Sequence, residues 1–283
     1  MPPKVAFALS GGGSLGAVQV GMITALYERG VVPDMLVGTS VGALNAGYLA
    51  NREPSLRTAK ELAEVWESLR RSDVFPAQPF RGLLALFGQR DHLVPNDGLR
   101  ELLREHLAMK KIEESKMPLT VIATDLVTGR EVELTEGSAQ DAIMASAAIP
   151  GIFPPVRWND MILVDGGVSN YTPLAPALRE GAETIYVLPT GKCDLREVPD
   201  SALGVLLQSL AVMIVQRMNL EVDKYEGQTE LVVLPPPCPL ETQPADFTRA
   251  GDLIRRARDD AHAYLDRRAA GERLVPGRLE TAP

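Results

Sequence analysis

Two kinds of hydrophobic pattern alternate along the chain. Short runs in which nearly every residue is apolar, typical of strands covered on both faces, occur at residues 5–9, 35–37, 119–123, 161–164, 184–188 and 231–234. Longer helix-forming segments lie between and after them, at residues 17–27, 51–71, 201–219 and 247–270. Residues 131–134 alternate apolar and polar side chains, as in a strand exposed on one face. Strands that alternate with helices predict a three-layer α/β/α fold with a mostly parallel central sheet.

Composition narrows the class of protein. The chain has 283 residues, 45% of them hydrophobic, which is enough for a large core, and we expect a single domain over residues 1–283. A net charge of -8 argues against nucleic-acid binding and against docking on an anionic membrane by charge alone. No signal peptide or membrane-length apolar run is visible, and Cys193 and Cys238 are too few for a disulfide framework. These features predict a cytoplasmic protein in a reducing compartment.

A Gly-x-Ser-x-Gly pattern, formed by Gly38, Ser40 and Gly42, lies between a predicted strand and a predicted helix. In this context the chain turns sharply and holds the serine hydroxyl on the outside of the turn. The glycines lie where a Cβ would collide as strand and helix cross. The helix N-terminus also favours a developing negative charge on the serine. The pattern predicts a nucleophilic serine; a chance match in a glycine-rich chain is the alternative.

The glycine-rich loop at residues 10–16 contains the G-x-G-x-x-G spacing of dinucleotide-binding sites. Such a site needs an acidic residue at the end of the second strand, whereas Asp34 precedes that strand here. We therefore favour another property of the loop, a concave array of N–H groups that attracts anions. If the first two strands are neighbours, these groups face Ser40 and form an oxyanion hole.

The group that activates Ser40 is less evident from the sequence. The residues of an α/β-hydrolase triad follow one another in the order serine, acid, histidine, and only His262 of the three histidines fits this order. Its helix, however, has the charge pattern of a solvated face. His92 and His106 precede the third of the apolar runs. Asp165 ends an apolar strand, where α/β active sites form, and two glycines leave space around its carboxylate. Asp165 is the better candidate base, with an ordinary Asp-Gly turn as the alternative.

Residues 75–94 carry apolar side chains in a segment interrupted by proline and glycine. Such a broken apolar segment predicts either a mobile lid or a surface groove that shapes acyl access, or else a short buried helix.

Four motifs follow one another along residues 4–190 in an order and spacing typical of one family. They are Ser10-Gly11-Gly12-Gly13-x-x-Gly16, Gly38-Thr39-Ser40-Val41-Gly42, Ala145-Ser146-Ala147-Ala148-Ile149-Pro150-Gly151-x-Phe153-Pro154-Pro155 and Asp165-Gly166-Gly167. Together they resemble the patatin-like phospholipases, and four ordered motifs are far more specific than one. The part of the chain after residue 190 adds a strand and helices outside these motifs.

The resemblance implies a lipid acyl hydrolase with a Ser/Asp dyad and no catalytic histidine. It places the nucleophile at Ser40, the general base at Asp165 and the oxyanion hole at Gly11, Gly12 and Gly13. The remaining motif glycines are Gly16, Gly38, Gly42, Gly166 and Gly167. No cofactor is implied, and no metal-ligand set is visible in the sequence, so we expect neither a metal site nor calcium dependence.

One position departs from the family pattern. Leu15 stands where many members carry arginine or lysine, which weakens the case for a phosphate head group. A lysolipid, a glyceride or a simple carboxylic ester is as plausible a substrate as a diacyl phospholipid. We expect a phospholipase A, lysophospholipase or esterase type of enzyme, with transient membrane-surface contact and an oligomer both possible. The alternatives are an ordinary esterase with a Ser-Asp-His triad and a catalytically silent lipid-binding module.

Overall fold

The computed structural model describes residues 4–75, 91–191, 202–225, 227–238 and 245–277. At its centre the described residues form one sheet of eight strands. The strands are β1 (Val5–Leu9), β2 (Met35–Thr39), β3 (Leu119–Asp125), β4 (Glu131–Leu134), β5 (Val156–Trp158), β6 (Met161–Asp165), β7 (Thr184–Leu188) and β8 (Glu230–Val233). The apolar runs of the sequence therefore form strands, because a run without polar positions suits a strand covered on both faces.

The sheet has a parallel centre and an antiparallel side. Its strand order is β5–β6–β3–β2–β1–β7–β8, with β4 paired to β3 beside this path. Strands β3, β2, β1, β7 and β8 run parallel to one another, whereas β4 and β6 pair antiparallel with β3, and β5 pairs antiparallel with β6. The predicted α/β fold with a mostly parallel sheet is confirmed. The antiparallel strands β4, β5 and β6 make this sheet a mixed one.

Helices lie on both faces of this sheet. They are α1 (Gly16–Glu28), α2 (Val41–Ala50), α3 (Leu56–Ser68), α4 (Arg71–Val74), α5 (Asp97–His106), α6 (Ala139–Ser146), α7 (Leu174–Arg179), α8 (Ala202–Tyr225) and α9 (Ala250–Ala269). Phe7 and Leu9 of β1 lie in an apolar cluster with side chains of α1, α2, α3, α5, α6 and α9. Ala6 and Ala8 point to the opposite cluster, which contains side chains of α7 and α8. Alternate residues of one strand thus serve two cores, which gives three layers.

Helix α1 is buried along almost its whole length, because the sheet lies on one side of it and α9 on the other. A Cβ at Gly21 would lie 2.2 Å from the carbonyl oxygen of Ile254 on α9. Only glycine allows the two helix backbones to approach this closely. The arginine-rich terminal helix is therefore packed directly on the first helix of the fold.

Several boundaries differ from those expected from the pattern. Helix α3 begins at Leu56 rather than near residue 51, because the Ser55 hydroxyl caps it by accepting from the Thr58 N–H and Pro54 precedes the cap. Residues 76–90, most of the predicted lid, lie outside the described residues. The end of that segment pairs with the chain near residue 151, where Val94 N–H donates to the Ile152 carbonyl.

Two observations bear on the expected location. No helix in the described ranges is long and apolar enough to cross a membrane. Cys238 is disulfide-bonded, so the cysteines give no support to the predicted reducing compartment. Helix α8 carries the exposed apolar side chains Met213 and Leu220.

Candidate active site

Ser40 occupies a sharp turn between β2 and α2. Its φ of 55° is unusual for a residue with a side chain, and such strain is typical of functional sites. The turn needs its two flanking glycines: a Cβ at Gly42 would lie 2.2 Å from the Leu9 carbonyl oxygen, and one at Gly38 would lie 2.6 Å from the Gly42 carbonyl oxygen. The Ser40 N–H donates to Ser146 Oγ over 2.8 Å. The backbone is therefore held on both sides, and the hydroxyl projects from the turn.

The carboxylate of Asp165 lies beside this hydroxyl. Ser40 Oγ donates to Asp165 Oδ2 over 2.7 Å, and the N–H of Gly167 donates to Asp165 Oδ1 over 2.7 Å. Both side chains are buried. Burial disfavours the ionised carboxylate and raises the pKa of Asp165 to about 6, although the hydrogen bonds from Ser40 and Gly167 oppose this rise. A carboxylate with this pKa is ionised at neutral pH and basic enough to accept a proton.

The antiparallel strand β6 brings Asp165 to Ser40. On β3, Ile122 pairs with the last residue of β2, and the next residue, Ala123, pairs with Asp165. The two strand ends therefore meet on β3. Thr124 Oγ1 fixes the end of β6 by donating to the Asp165 carbonyl over 2.9 Å. A Cβ at Gly166 would lie 2.2 Å from the Ile122 carbonyl oxygen, so glycine is required for this close approach.

The glycine loop lies against the same site. Strands β1 and β2 are neighbours, as the oxyanion-hole hypothesis requires, and a Cβ on Gly11 would lie 3.2 Å from the Ser40 Cβ. Gly12 has a φ of 144° and Gly13 a φ of 61°, which orient successive peptide planes differently. Gly11 N–H donates to the Tyr171 carbonyl in a long hydrogen bond of 3.4 Å. Across the described part of the chain, the N–H groups of Gly12 and Gly13 donate no hydrogen bond.

A buried polar network, for which the sequence carries no local signal, supports the loop. Gln19 Nε2 donates to the Ser10 and Leu188 carbonyls over 2.8 and 2.9 Å. Asn45 Nδ2 donates to Gln19 Oε1 over 2.8 Å, and Trp66 Nε1 donates to Asn45 Oδ1 over 2.9 Å. These amide side chains lie within helices, and only their burial together shows their role. The chain of hydrogen bonds connects three helices to the end of β1.

Thr190 and Tyr171 form a second set of hydrogen bonds that supports the glycine loop. Thr190 Oγ1 donates to the Gly11 carbonyl over 2.5 Å, and the Tyr171 hydroxyl lies 2.8 Å from the same Oγ1. A Cβ on Gly12 would lie 2.0 Å from Thr190 Oγ1. Burial raises the pKa of Tyr171 to about 12, so this hydroxyl stays protonated and available as a donor. The loop is thus held in one conformation.

Within the described residues, none of the three histidines forms a hydrogen bond with Ser40 or Asp165. His262 on α9 contacts Glu28 and Arg29 of the α1 end: its Nε2 lies 2.6 Å from Glu28 Oε2, and its Nδ1 accepts from Arg29 Nε over 3.0 Å. His92 bonds to Asp91, and His106 lines a pocket described below. Both ring nitrogens of His262 are therefore engaged by side chains remote from Ser40.

An apolar pocket opens beside Ser40. It encloses about 810 Å³ of empty space, its open mouth included. Most lining side chains are apolar and come from α2, α3 and α5, together with aromatic residues from other segments: Val41, Leu44, Leu62, Val65, Trp66, Leu69, Leu99, Leu102, Leu103, Phe75, Phe153 and Phe247. Gly13 and Ser40 line the same pocket. A linear hydrocarbon chain attached to a group at Ser40 fits a pocket of this composition.

Two further observations concern charged groups near the site: the burial of Leu15 in the glycine loop and the arrangement of the metal-ligating side chains. Leu15 is buried in the larger apolar cluster, so this position of the glycine loop packs in the core. Within the described ranges, no group of three His, Cys, Asp or Glu side chains is placed to hold a metal ion.

The chain is similar to proteins of a known family. The family model described as patatin-like phospholipase matches residues 7–178. An uncharacterized NTE family protein of Mycobacterium tuberculosis is 34% identical over 214 residues, which is 75% of this chain and 56% of that protein. The lysophospholipase NTE1 of Mycosarcoma maydis is 30% identical over 197 residues, 68% of this chain and 10% of that protein. The chain thus spans little more than half the length of the mycobacterial relative.

The structural comparison is more distant. VipD from Legionella pneumophila aligns with a TM-score of 0.46 at 16% identity, covering 94% of this chain and 67% of that one. Similarity at this level assigns no activity. The family model, by contrast, covers well over half of the chain and includes the segments of Ser40 and Asp165. The chain belongs to the patatin-like phospholipase family.

Proposed function

We propose that the protein is a serine lipid acyl hydrolase that cleaves carboxylic esters of acyl lipids. The observation that carries this proposal is the 2.7 Å hydrogen bond from Ser40 Oγ to Asp165 Oδ2 beside an apolar pocket that Ser40 lines. A hydroxyl paired with a buried carboxylate supplies a nucleophile and a base. The pocket supplies a site for the acyl chain. The lysophospholipase among the relatives fits this class of substrate.

In the first half of the reaction, Asp165 takes the hydroxyl proton while Ser40 Oγ attacks the ester carbonyl carbon. The carbonyl oxygen becomes an oxyanion, and the alcohol leaves with the proton that Asp165 returns. Ser40 then carries the acyl group as an ester. In the second half, Asp165 takes a proton from water, the resulting hydroxide attacks the acyl ester, and the proton returns to Ser40 as the fatty acid leaves.

The oxyanion is held by backbone N–H groups of Gly11, Gly12 and Gly13. Gly12 and Gly13 are the stronger candidates, because their N–H groups have no acceptor in the described part of the chain and Gly13 shares the pocket with Ser40. The N–H of Gly11 already donates to Tyr171, so its contribution requires that long hydrogen bond to open. Donors fixed before the reaction act without reorganisation in the transition state.

The substrate head group follows from charge. Leu15 is apolar and buried, so the glycine loop offers backbone amides and no cation for a phosphate. We therefore propose a carboxylic ester whose acyl chain provides most of the recognition: a lysolipid, a glyceride or a simple ester as readily as a diacyl phospholipid. Transient contact with a lipid surface and a cytoplasmic location belong to the same proposal.

Labelling with an alkyl fluorophosphonate, together with hydrolysis of a short-chain ester, tests the proposal. The wild-type protein should be labelled at Ser40, and Ser40→Ala should lose both labelling and hydrolysis while remaining folded. Ser209→Ala, which removes an exposed serine on α8, is the matched control and should behave as wild type. A folded Ser40→Ala variant that keeps most of the activity would overturn the assignment of the nucleophile.

The dyad and a triad are separated by two further variants. Asp165→Asn should lower kcat by about 100- to 10,000-fold, the usual range for general-base assistance. His262→Ala should stay within about threefold of wild type, because its contacts lie on the opposite end of α1. An active Asp165→Asn with an inactive His262→Ala would establish the triad instead. Absence of labelling and hydrolysis in the wild-type protein would indicate a lipid-binding module.

A further inference from the structure

Helix α2 both presents the nucleophile and forms one wall of the pocket. Ser40 caps its amino end, and Val41, Leu44, Asn45 and Tyr48 all line the pocket. These positions recur at helical spacing on one face, so the pocket follows α2 from its first turn to its last. At 1.5 Å for each residue, Tyr48 lies about 12 Å along the axis from Ser40.

Charged and polar groups lie behind Tyr48, the last residue of α2 that lines the pocket. The Arg52 guanidinium lies over the Tyr48 ring at 3.6 Å from its centroid. Arg52 is also held in place, because Nη1 donates to the Tyr48 carbonyl over 2.7 Å and Nη2 donates to the His106 carbonyl over 3.0 Å. Its position is one turn beyond Tyr48, and helical side chains lean toward the amino end, so the cation covers the ring from behind.

The carboxyl ends of α2 and α5 are tied together at the same place. Besides the bond from Arg52 to His106, Asn51 Nδ2 donates to the Ala108 carbonyl over 2.8 Å. A Cβ on Gly47 would lie 3.3 Å from a Leu107 methyl group, which shows how closely α2 approaches the residue that follows α5. Along α2, Ser40 is the first residue that lines the pocket and Tyr48 the last, and this junction lies just beyond Tyr48.

We infer that Tyr48 forms the floor of the acyl pocket and limits the bound acyl chain to about ten carbons. An extended chain advances about 1.2 Å for each covalent bond, so the axial distance of about 12 Å between Ser40 and Tyr48 holds about ten carbons at most. A longer chain would meet the Tyr48 ring and the Arg52 guanidinium behind it. Further methylene groups would then gain no burial free energy, and contact with them would cost the guanidinium its hydration. This inference rests on the proposed function, since it assumes that the acyl carbonyl lies at Ser40. It assigns the substrate to medium-chain acyl esters.

Binding without chemistry provides the first test. In the Ser40→Ala protein, saturated fatty acids of about 4 to 16 carbons, kept below their micelle concentrations, should displace an apolar fluorescent dye from the pocket. Each added carbon should tighten binding by up to about fourfold, as expected for burying a methylene group, until the chain has about ten carbons. Beyond that length the affinity should stop rising. Affinity that keeps rising to 16 carbons would overturn the inference.

Variants at the floor provide the second test. Adding Tyr48→Ala to the Ser40→Ala protein should move the break in the series upward by about four carbons, the length that the ring occupies. Tyr48→Phe keeps the ring and should keep the break. Tyr186→Ala, which removes a half-buried tyrosine outside the pocket, is the matched control and should leave the break in place. If Tyr48→Ala does not fold, Tyr48→Leu should give a smaller upward shift, and an unchanged break in a folded variant would contradict the role of Tyr48.

Hydrolysis of p-nitrophenyl esters over the same chain lengths distinguishes the two proposals. A kcat/KM optimum near about ten carbons in wild type, displaced upward by Tyr48→Ala, is expected if both are correct. A break in fatty-acid binding at that length without hydrolysis of any ester would keep the floor and reject the lipid hydrolase. Hydrolysis with no preference for chain length would keep the enzyme and reject the floor.

Discussion

Replacing Asp165 by asparagine should stabilise the protein while it removes the proposed catalytic base. The carboxylate is buried, its pKa is raised to about 6 from an ordinary value of 3.8, and no cation faces it among the causes of that shift. At about 1.4 kcal/mol for each pH unit, ionising Asp165 in the folded protein costs about 3 kcal/mol of stability. Asparagine avoids this cost, accepts from the Gly167 N–H and presents an amide to Ser40 Oγ.

The sign follows from proton binding. Below about pH 3.8 the carboxyl is neutral in both the folded and the unfolded chain, so wild type and Asp165→Asn should be equally stable. Between pH 3.8 and 6 the folded protein holds a proton that the unfolded chain has lost, and the wild-type free energy of unfolding falls as pH rises. The advantage of asparagine should therefore grow from near zero at about pH 4 to as much as about 3 kcal/mol at pH 8.

Urea unfolding of both proteins, followed by circular dichroism from pH 4 to 8, measures this difference. Asp160→Asn, at an exposed aspartate, is the matched control and should differ from wild type by a nearly constant amount. The difference between variants isolates one carboxyl from the others that titrate over the same range. An Asp165→Asn protein that gains no stability at pH 8, or a difference that does not vary with pH, would refute the account of a buried and unpaired charge.

Three further outcomes test other parts of the structure. The kcat/KM of the wild-type protein should fall as pH drops through about 6, because only ionised Asp165 accepts the proton; a pH-rate profile that is flat from 5 to 8 would contradict this. Gly12→Ala should cost about a hundredfold in kcat, since its Cβ would lie 2.0 Å from Thr190 Oγ1 and displace an oxyanion donor, whereas Gly181→Ala, also at positive φ but in open space, should keep kcat near wild type. Tyr27→Phe should raise the free energy of unfolding by about 1 kcal/mol, because the buried hydroxyl has no hydrogen-bond partner among the described residues, and a loss of 1 kcal/mol or more in calorimetry would show that the hydroxyl is satisfied.

Seven of the eight strands in the described residues, all but the short β5, and the two strand ends could be predicted because their signals are local. An uninterrupted apolar run indicates a covered strand wherever it occurs. Asp165 directly follows such a run, Ser40 lies three residues after another, and each has a glycine within the next two positions, so the sequence alone indicates a turn with space around the side chain. Their partnership was harder to predict, because it depends on β6 pairing antiparallel with β3, and nothing in the run at residues 161–164 specifies its direction.

The supports of the glycine loop could not be predicted, because their signal is tertiary. Gln19 and Asn45 are polar residues within helices, a pattern that more often marks a solvated position. Only when α1, α2 and α3 pack do these amides meet Trp66 and the carbonyls at the end of β1. The same holds for Tyr48, which is one more residue on an apolar helix face until Arg52 is seen to cover it.

The contact between α1 and α9 through Gly21 has a consequence for where this fold can be divided. The family match ends at residue 178, yet β7, β8 and α9 all follow that point. A protein shortened there would leave β1 with an unpaired edge and would uncover the side of α1 that now lies on α9, and both defects promote aggregation. The family match therefore ends before the strand and the helix that pack on β1 and α1, and we expect a shortened protein to lose the support that these elements give to the glycine loop and its helix.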